Sequence, residues 1–349
     1  MNIILIIGTR PNYMKAYPLY NKLKKTNNNI YLIHTGQHYD NNMNKIFLEE
    51  FKLKPDIQFR LESKNESEQL GEIIINLSKY FIEIKPDIVI VFGDVTSTLA
   101  GGLVANKMGI KLVHIESGLR SYDNSMPEEI NRILVDKISD IHIITEESGI
   151  INLEKEGIKN NYLVGNTMID TLIEFLPEIR IRNYNNKLNI SNYIVLTLHR
   201  QSNVNNINKL NNILEKINNI SNKYSIKIIY PKHPRIKEVL DYNNIKIIEP
   251  LGYIDFMSLI NNSRIVITDS GGIQEETTFL NIPCLTLRNN TERPFTLIEN
   301  GGTNKLININ NLEQEIDFLL KNKINKKEDK LNDGKVSDKI INIIFGKIQ

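Results

Sequence analysis

Short runs of isoleucine, valine and leucine recur along the chain, and within each run the apolar residues are consecutive rather than alternating with polar ones. Consecutive apolar residues are typical of strands in a parallel sheet, because helices cover both faces of such a sheet. Segments with a helical pattern lie between the runs, so the sequence predicts repeated β-α-β units. The predicted strands are 2–7, 30–34, 87–92, 111–115, 141–145, 193–198, 226–230, 245–248, 264–268 and 283–287. The helices predicted in the first series are 12–25, 67–83, 96–108 and 127–137.

A polar stretch at 183–192 separates two series of these units, and 349 residues are enough to bury two hydrophobic cores. We therefore predict an α/β fold of two doubly wound, Rossmann-like domains that face each other across a cleft. The first domain is predicted over 1–178, and the second, which would bind a nucleotide, over 179–335. A charged segment ends the second domain. The last helix, within 336–349, is then able to pack back on the first domain.

The composition excludes several classes of function. The formal net charge of +2 gives no basis for binding nucleic acid or an anionic membrane surface. The single cysteine, Cys284, cannot form a disulfide framework or a zinc site by itself. The apolar start at 2–8 is short and follows no basic segment, so we interpret it as a strand rather than a signal peptide. The longest apolar region, 88–105, is interrupted by Asp94 and cannot span a bilayer, so we expect a cytoplasmic protein.

Polar and glycine-containing clusters follow the predicted strands directly. In open α/β sheets, ligands bind at the carboxyl ends of the strands, so this placement predicts a binding site there. The clusters are 8–15, 35–38, 93–94, 116–121, 199–200, 232–235 and 268–276.

The cluster Thr-Asp-Ser-Gly-Gly-Ile-Gln-Glu-Glu at 268–276 lies between a predicted strand and a predicted helix. Its Ser270, Gly271 and Gly272 would let the backbone approach a ligand closely, and a helix N-terminus offers N–H groups and a positive dipole end to a phosphate. Glu276, one turn later, could accept hydrogen bonds from a sugar hydroxyl. The alternative interpretation is an Asp or Ser N-cap followed by a glycine turn.

Acidic residues follow two strands of the first series. Asp94 comes directly after a glycine at a strand end, although it could also cap the next helix, and Glu116 ends a strand before a Ser-Gly turn. Glu128 lies in a first helical turn after a proline, where the helix dipole alone could explain it. Carboxylates grouped in a partly desolvated cleft shift each other's pKa values apart, which suits them to move a proton on and off carbon.

Histidine supplies the candidate base. His199 leaves a strand immediately before Arg200, and imidazole titrates near neutral pH, although a packing or capping histidine is the alternative. His38, after a Gly-Gln pair, is a second candidate. The remaining histidines within strands are expected to be core or supporting residues: His34, His114 and His142.

Arginine and lysine supply candidate anion contacts. Arg10 and Lys15 flank the first strand-to-helix turn and could pair with a diphosphate, and Arg293 in Thr-Glu-Arg-Pro is a further candidate. The chain has neither the Gly-x-Gly-x-x-Gly fingerprint nor a Walker P-loop.

A series of motifs in this order resembles the non-hydrolysing UDP-N-acetylglucosamine 2-epimerases nearly end to end. The motifs are GTRP at 8–11, TGQH at 35–38, GD at 93–94, HIESGLRS at 114–121, MPEEINR at 126–132, GN at 165–166, LHR at 198–200, DSGGIQEE at 269–276, TERP at 291–294, GGTN at 301–304 and NDGKVSDKI at 332–340. The resemblance implies a fold similar to GT-B glycosyltransferases and reversible inversion at carbon 2 of UDP-N-acetylglucosamine through a glycal and trapped UDP. The product, UDP-N-acetylmannosamine, would serve surface polysaccharide synthesis.

The resemblance also implies roles for individual residues, a homodimer, and no need for a metal or a nicotinamide cofactor. The implied acid/base carboxylates are Asp94, Glu116 and Glu128, with His199 assisting at the leaving phosphate or sugar. The implied substrate-binding residues are Arg10, Lys15, Arg200, Ser270, Gly271, Gly272 and Arg293, with Glu276 at the ribose and Gln37 and His38 where a second substrate molecule activates some members.

Departures from the family pattern bear on the substrate. Ser117 stands where alanine is frequent, Ser202 where a glutamate is common, and Phe295 where a glutamate is usual after Thr-Glu-Arg-Pro. The segment 118–127 is short, as in archaeal members and in relatives that epimerise diacetamido-uronic sugars. A 2-epimerase of such a sugar and a GT-B glycosyltransferase are therefore the main alternatives, and a hydrolysing epimerase and a non-catalytic nucleotide-sugar sensor are the others.

Overall fold

The computed structural model of the chain describes residues 1–37, 41–63, 65–204, 206–232, 236, 240 and 242–346, except for the side chains of 41–45, 201 and 202. The chain divides into two compact units. Unit 1 comprises Met1–Glu174 and the segment from Lys330 onward, and unit 2 comprises Phe175–Asp329. Both boundaries lie a few residues before the predicted ones at 178 and 335.

Unit 1 is built on a parallel sheet of short, buried strands. Its strands are β1 (Asn2–Ile7), β2 (Asn29–His34), β3 (Ile57–Gln58), β4 (Ile88–Phe92), β5 (Lys111–Ser117), β6 (Ile141–Ile144) and β7 (Asn161–Leu163). They lie in the order β3-β2-β1-β4-β5-β6-β7, and every neighbouring pair is parallel. Its helices are α1 (Arg10–Leu23), α2 (Asn41–Glu50), α3 (Glu66–Ile84), α4 (Thr96–Lys107), α5 (Pro127–Ile138), α6 (Glu147–Lys155) and the first half of α7 (Thr167–Arg182).

Unit 2 repeats the same architecture with one strand fewer. Its strands are β8 (Tyr193–Thr197), β9 (Lys227–Pro231), β10 (Ile245–Ile248), β11 (Ile265–Thr268), β12 (Cys284–Leu287) and β13 (Asn304–Ile307), in the parallel order β10-β9-β8-β11-β12-β13. Its helices are α8 (Tyr184–Lys187), α9 (Gln201–Val204), α10 (Ile207–Tyr224), α11 (Tyr253–Asn261), α12 (Gly271–Leu280) and α13 (Leu312–Lys321), with 3₁₀ turns at Pro294–Thr296 and Ile298–Asn300. The chain ends with α14 (Val336–Ile344), which belongs to unit 1.

Helical spacing of apolar residues explains how each sheet is covered. In α10, Leu210, Ile213, Leu214 and Ile217 recur every three or four residues and pack into the core of unit 2. The start of α10 is capped by Asn206, whose side chain accepts from the Lys209 amide at 3.1 Å. In unit 1, α3, α4 and α5 lie side by side and contribute to a single core with β1, β2 and β4.

The predicted strands are all present, with boundaries within about two residues, and the predicted helices match α1, α3, α4 and α5. The prediction missed β3, β7 and β13, which have two, three and four residues in the described part of the chain. So short a run carries too little apolar pattern to be distinguished from a loop.

The order of the strands changes direction once in each sheet, between β1 and β4 in unit 1 and between β8 and β11 in unit 2. The loops that leave these two neighbouring strands diverge to opposite faces of the sheet, which opens a crevice at the carboxyl ends of the strands. In each unit, therefore, the residues that follow these two strands are the ones placed to meet a ligand.

Asp170 on α7 attaches α14 to unit 1. Its buried carboxylate accepts hydrogen bonds from the amides of Val336 and Ser337, at 3.2 and 2.7 Å, and from the Ser337 hydroxyl at 2.8 Å. Val336 and Ile340 are fully buried on the same helix. Asp170 therefore caps the start of α14 from a separate element.

We predict that Asp170→Ala lowers the free energy of unfolding by about 2 kcal/mol, because the capping acceptor of α14 is lost. Hydrogen exchange of the amides at 336–344 should accelerate. The control is Asp338→Ala on the same helix, which removes an exposed ion pair with Lys22 and should cost less than about 1 kcal/mol. Unchanged exchange in α14 of the Asp170 variant would contradict this account.

Candidate functional site

Lys15 and Glu116 form a buried ion pair beside the change of strand order in unit 1. Lys15 lies on α1, Glu116 lies near the end of β5, and Nζ is 2.5 Å from Oε2. Their side chains are 7% and 1% exposed. Gly93, after β4, has φ +66°, and a Cβ at this position would lie 3.1 Å from Lys15 Nζ. The glycine thus allows the turn after β4 to pass close to the ion pair.

Glu116 has a backbone conformation that is costly for a residue with a side chain. Its φ is +72°, in the left-handed region, and the pairing register of β5 with β6 shifts between Ile115 and Ser117. Left-handed conformations of non-glycine residues store strain and occur preferentially at functional sites. The irregularity turns the Glu116 carboxylate towards Lys15 and thereby supports a functional interpretation of this residue.

Asp94 is held by a second ion pair, made with Arg132 on α5. The N-cap of α4 is Val95, and Asp94 makes its side-chain contact with Arg132 instead, so the capping alternative does not apply. Arg132 is 1% exposed and also pairs with Glu129 at 2.5 Å. Glu129 in turn accepts from the amides of Ser121 and Tyr122. Sequence analysis did not identify Arg132, because its partner Asp94 lies 38 residues away in the chain.

Glu128 is not part of this group. It lies exposed in the first turn of α5, and within the described residues it makes no hydrogen bond or ion pair. The adjacent Glu129 is the buried acid of this turn. The structure therefore brings Asp94 and Glu116 to the same edge of unit 1, each with its own cation, and leaves Glu128 at the surface.

Three further predicted residues follow β1 and β2. Arg10, half-buried at the start of α1, has its guanidinium 6.0 Å from the ring centre of Phe47. Gln37 accepts hydrogen bonds from the amide and hydroxyl of Ser97, at 2.9 and 2.7 Å, and so anchors the first turn of α4. His38 lies outside the described residues.

Asp269 organises the equivalent edge of unit 2. This fully buried carboxylate follows β11 and accepts from the backbone amides of His199 and Arg200, from Asn203, and from His199 Nδ1 at 2.8 Å. Burial alone would raise the pKa of Asp269, but the hydrogen bonds from His199, Asn203 and the Arg200 amide hold it below its usual value. Because Nδ1 donates to Asp269, Nε2 is the imidazole nitrogen that can exchange a proton.

Sequence analysis considered Asp269 only as a candidate N-cap residue, whereas in the structure Asp269 orients His199 after β8.

Serine and glycine begin α12 as predicted. Ser270 is the N-cap residue, and among the described residues no side chain caps the helix. The amides of the first turn, including those of Gly271 and Gly272, lie at the positive end of the helix dipole, an arrangement that favours an anion.

Arg293 lies directly behind this turn. A Cβ at Gly271 would collide with its guanidinium, so a side chain there would force Arg293 to shift. Arg293 is 4% exposed and pairs with Glu275 at 2.8 Å and with Glu292, which also binds Arg288. Two carboxylates thus already neutralise the charge of Arg293. The predicted contact with an anion would therefore be made by an arginine whose charge is already balanced.

Glu276 lies on the buried side of α12. Its Oε1 accepts from the Tyr253 hydroxyl at 2.9 Å, and the Tyr253 ring meets Phe175 edge-on. Burial and, to a smaller extent, the neighbouring Glu275 raise the pKa of Glu276, and the Tyr253 hydrogen bond opposes them, so that the pKa is about 8. A neutral carboxyl at pH 7 can both accept and donate a hydrogen bond.

Chemically, unit 1 provides two paired carboxylates suited to proton transfer, and unit 2 provides a helix start suited to an anion beside an Asp-His pair. Within the described residues, histidine, cysteine, aspartate and glutamate are nowhere grouped in a way that would hold a metal ion. None of the described helices combines the length and the apolar content that crossing a membrane would require.

Comparisons relate the chain to known proteins. The family model described as UDP-N-acetylglucosamine 2-epimerase matches residues 21–345. The UDP-N-acetylglucosamine 2-epimerase of Methanococcus maripaludis is 41% identical over 364 aligned residues, which cover 98% of either chain. The UDP-2,3-diacetamido-2,3-dideoxy-D-glucuronate 2-epimerase of Pseudomonas aeruginosa is 36% identical and covers 84% of either chain.

A solved structure of the Methanocaldococcus jannaschii UDP-GlcNAc 2-epimerase in complex with UDP-GlcNAc and UDP matches this chain with a TM-score of 0.93. The two are 40% identical, and the match covers 99% of this chain and 100% of the other. The predicted α/β fold of two doubly wound, GT-B-like domains is confirmed by this match and by the strand orders.

We predict that Glu276→Gln stabilises the protein increasingly as pH rises. The glutamate has a folded-state pKa of about 8 and an ordinary unfolded-state value of 4.5, so wild-type stability falls between these values as the unfolded chain releases its proton first. The stability difference between variant and wild type should grow by about 2–4 kcal/mol from pH 5 to pH 8. Denaturant unfolding at the two pH values measures it.

The matched control is Glu275→Gln, one residue earlier on α12. It removes a buried partner of Arg293, so it should destabilise the protein at both pH values, by about 3 kcal/mol. A Glu276 effect that did not change with pH would show that this carboxyl is ionised in the folded protein throughout the range.

Proposed function

The chain belongs to the UDP-N-acetylglucosamine 2-epimerase family, a family of isomerases, and on that premise we propose that it interconverts UDP-N-acetylglucosamine and UDP-N-acetylmannosamine. The observation that carries this proposal is the pair of cation-bound carboxylates at the carboxyl edge of the unit 1 sheet, the half-buried Asp94 with Arg132 and the buried Glu116 with Lys15. Inversion of a carbon centre needs one group that removes a proton and another that returns one on the opposite face.

The reaction we propose is an elimination followed by re-addition. A carboxylate removes the proton from carbon 2, the C–H electron pair becomes the double bond between carbons 1 and 2, and the bond from carbon 1 to oxygen breaks with its electrons leaving on UDP. The products of this step are a 2-acetamidoglycal, UDP and a protonated base. Protonation of carbon 2 on the other face and return of UDP to carbon 1 give the epimer.

The two ion pairs of unit 1 suit the two faces of this reaction. An ion pair with arginine favours the charged form of Asp94, which is the form that accepts a proton. The Lys15–Glu116 pair holds a hydrogen between nitrogen and oxygen atoms 2.5 Å apart, so it can supply the proton that the opposite face requires. Glu128, exposed at the start of α5, is the third carboxylate we assign to proton transfer. This role requires that the bound substrate contacts Glu128.

Unit 2 is suited to bind the nucleotide and stabilise the leaving group. Ser270, Gly271 and Gly272 at the start of α12 would bind the pyrophosphate, and Arg10 and Arg200 would add charge. His199, oriented by Asp269, would assist the departing β-phosphate through Nε2. Glu276, with Tyr253, would bind the ribose.

A related substrate is the second candidate. The P. aeruginosa relative named for a diacetamido-uronate sugar is 36% identical to the chain, and Phe295 replaces a usual glutamate beside Arg293. A panel of UDP-sugars incubated with the enzyme in deuterated water tests both candidates by proton NMR. Deuterium at carbon 2 with UDP still attached is expected for UDP-N-acetylglucosamine. Exchange only with the uronate sugar would select the alternative, and free sugar or no exchange with any substrate would reject epimerisation.

We predict that Asp94→Asn and Glu116→Gln lower the turnover number by about 10²–10⁴-fold, the range of a lost general acid or base. The affinity for UDP, measured by calorimetry, should change little, because the proposed nucleotide site belongs to unit 2. The control is Glu154→Gln at an exposed position on α6, which should leave both quantities unchanged. Near-normal turnover in both carboxylate variants would refute their assignment.

We further propose that the enzyme is a cytoplasmic homodimer, as the family resemblance implies. Analytical ultracentrifugation should give a mass twice that of the 40.3 kDa chain at micromolar concentration. Cell fractionation should recover the protein with the nucleotide-sugar pool. A single-chain mass across the concentration range would contradict the dimer, and recovery with membranes would contradict the location.

A further inference from the structure

His114 on β5 lies behind the two turns that carry the proposed acid/base carboxylates. It is completely buried. Its Nε2 is 2.7 Å from the carbonyl oxygen of Gly93, the residue before Asp94. Its Nδ1 is 2.7 Å from Oδ1 of Asp136 on α5. One imidazole ring therefore connects the turn after β4 to a carboxylate on the neighbouring helix.

The same Asp136 holds the turn that follows Glu116. It accepts hydrogen bonds from the Ser117 hydroxyl and from the Gly118 amide at 3.1 Å. Arg120 donates to its other oxygen at 2.7 Å and is itself paired with Glu156. The turn needs such support, because Glu116 and Gly118 both have positive φ angles, +72° and +81°.

Two groups hold the His114 ring in place. The Gly93 carbonyl oxygen can only accept, so Nε2 donates to it. Burial alone would raise the pKa of Asp136, but His114, Arg120 and Ser117 together hold it well below its usual value, so Asp136 is an ionised acceptor. The Ser117 hydroxyl, 3.2 Å from Nδ1, also donates to Asp136.

Two other buried histidines provide a contrast. His34 on β2 accepts from the Gly36 amide through Nδ1, and burial lowers its pKa to about 4, so its ring is neutral. His142, beside His114 on β6, has only neutral carbonyl partners, those of Lys159 and Asp136. Of these three histidines, only His114 has a carboxylate as a partner of its ring.

We propose that His114 is a positioning residue: through its hydrogen bonds to the Gly93 carbonyl and to Asp136, it joins the Gly93–Asp94 turn to the Glu116–Gly118 turn and fixes the separation of the two acid/base carboxylates. The consequence for turnover rests on the proposed epimerase function, whereas the hydrogen bonds of the ring do not. The two parts are therefore tested separately.

The hydrogen bond between His114 and Asp136 is tested by nitrogen-15 NMR of protein labelled at its six histidines, recorded without substrate. The His114 signals are those that disappear in His114→Gln. We expect the Nδ1 signal of His114 to shift in Asp136→Asn, while the signals of His34 stay in place as the reference. An unchanged His114 signal in Asp136→Asn would overturn the proposal, whatever the enzyme's activity.

The positioning role is tested by comparing His114→Gln with His142→Gln, the same substitution on the neighbouring strand. We expect His114→Gln to lower kcat by about 10–100-fold, the size of effect that misplacement of a catalytic group by about 1 Å produces. Its UDP affinity and KM should stay close to wild type, and His142→Gln should keep most of the wild-type kcat.

Equal kcat values for His114→Gln and wild type would overturn the positioning role. A folded wild type that exchanges no substrate proton would instead reject the proposed function, and the NMR result on the same sample would still decide whether His114 is bonded to Asp136. If His114→Gln fails to fold, the His114 signals are assigned from Asp136→Asn, in which only the ring bonded to Asp136 should shift.

Discussion

Parallel pairing of all strands in each sheet is the constraint on which the rest of the structure depends. It places the carboxyl ends of the strands at one edge, and the single change of strand order then selects which two loops border a crevice. In unit 1 these loops carry Arg10 and Asp94, and in unit 2 they carry His199 and Ser270. Residues far apart in the chain thus become neighbours through backbone hydrogen bonding, before any side chain contributes.

Within unit 1, α5 converts this arrangement into a defined geometry. A helix normally buries an apolar stripe, but the buried face of α5 consists of Glu129, Arg132 and Asp136 with a single valine, Val135. Buried charges are costly unless they are paired, and breaking one such pair costs about 3–5 kcal/mol. Each charge on this face binds a turn of the proposed site, directly or through Arg132. The buried face of α5 therefore contributes little hydrophobic stabilisation and instead fixes the positions of the turns of the proposed site.

The sequence was sufficient to predict the elements and their edge of the sheet, because apolar runs and the residues after them are local signals. It could not identify Arg132 or Asp269 as organising residues, since their partners are 38 and 70 residues away, at Asp94 and His199. It also could not distinguish Glu128 from Glu129, since only the orientation of α5 decides which of two adjacent acids is buried. The domain boundary falls inside the continuous helix α7, where no loop marks it.

The central claim is that the enzyme breaks and re-forms the bond between carbon 1 and the UDP oxygen while protons are exchanged at carbon 2. It is tested most directly with UDP-N-acetylglucosamine that carries oxygen-18 in that bond. The account predicts that the label moves into non-bridging oxygens of the β-phosphate in recovered substrate and product, in parallel with deuterium uptake from the solvent. Deuterium uptake and epimerisation with the oxygen-18 remaining entirely in the bridging position would contradict it.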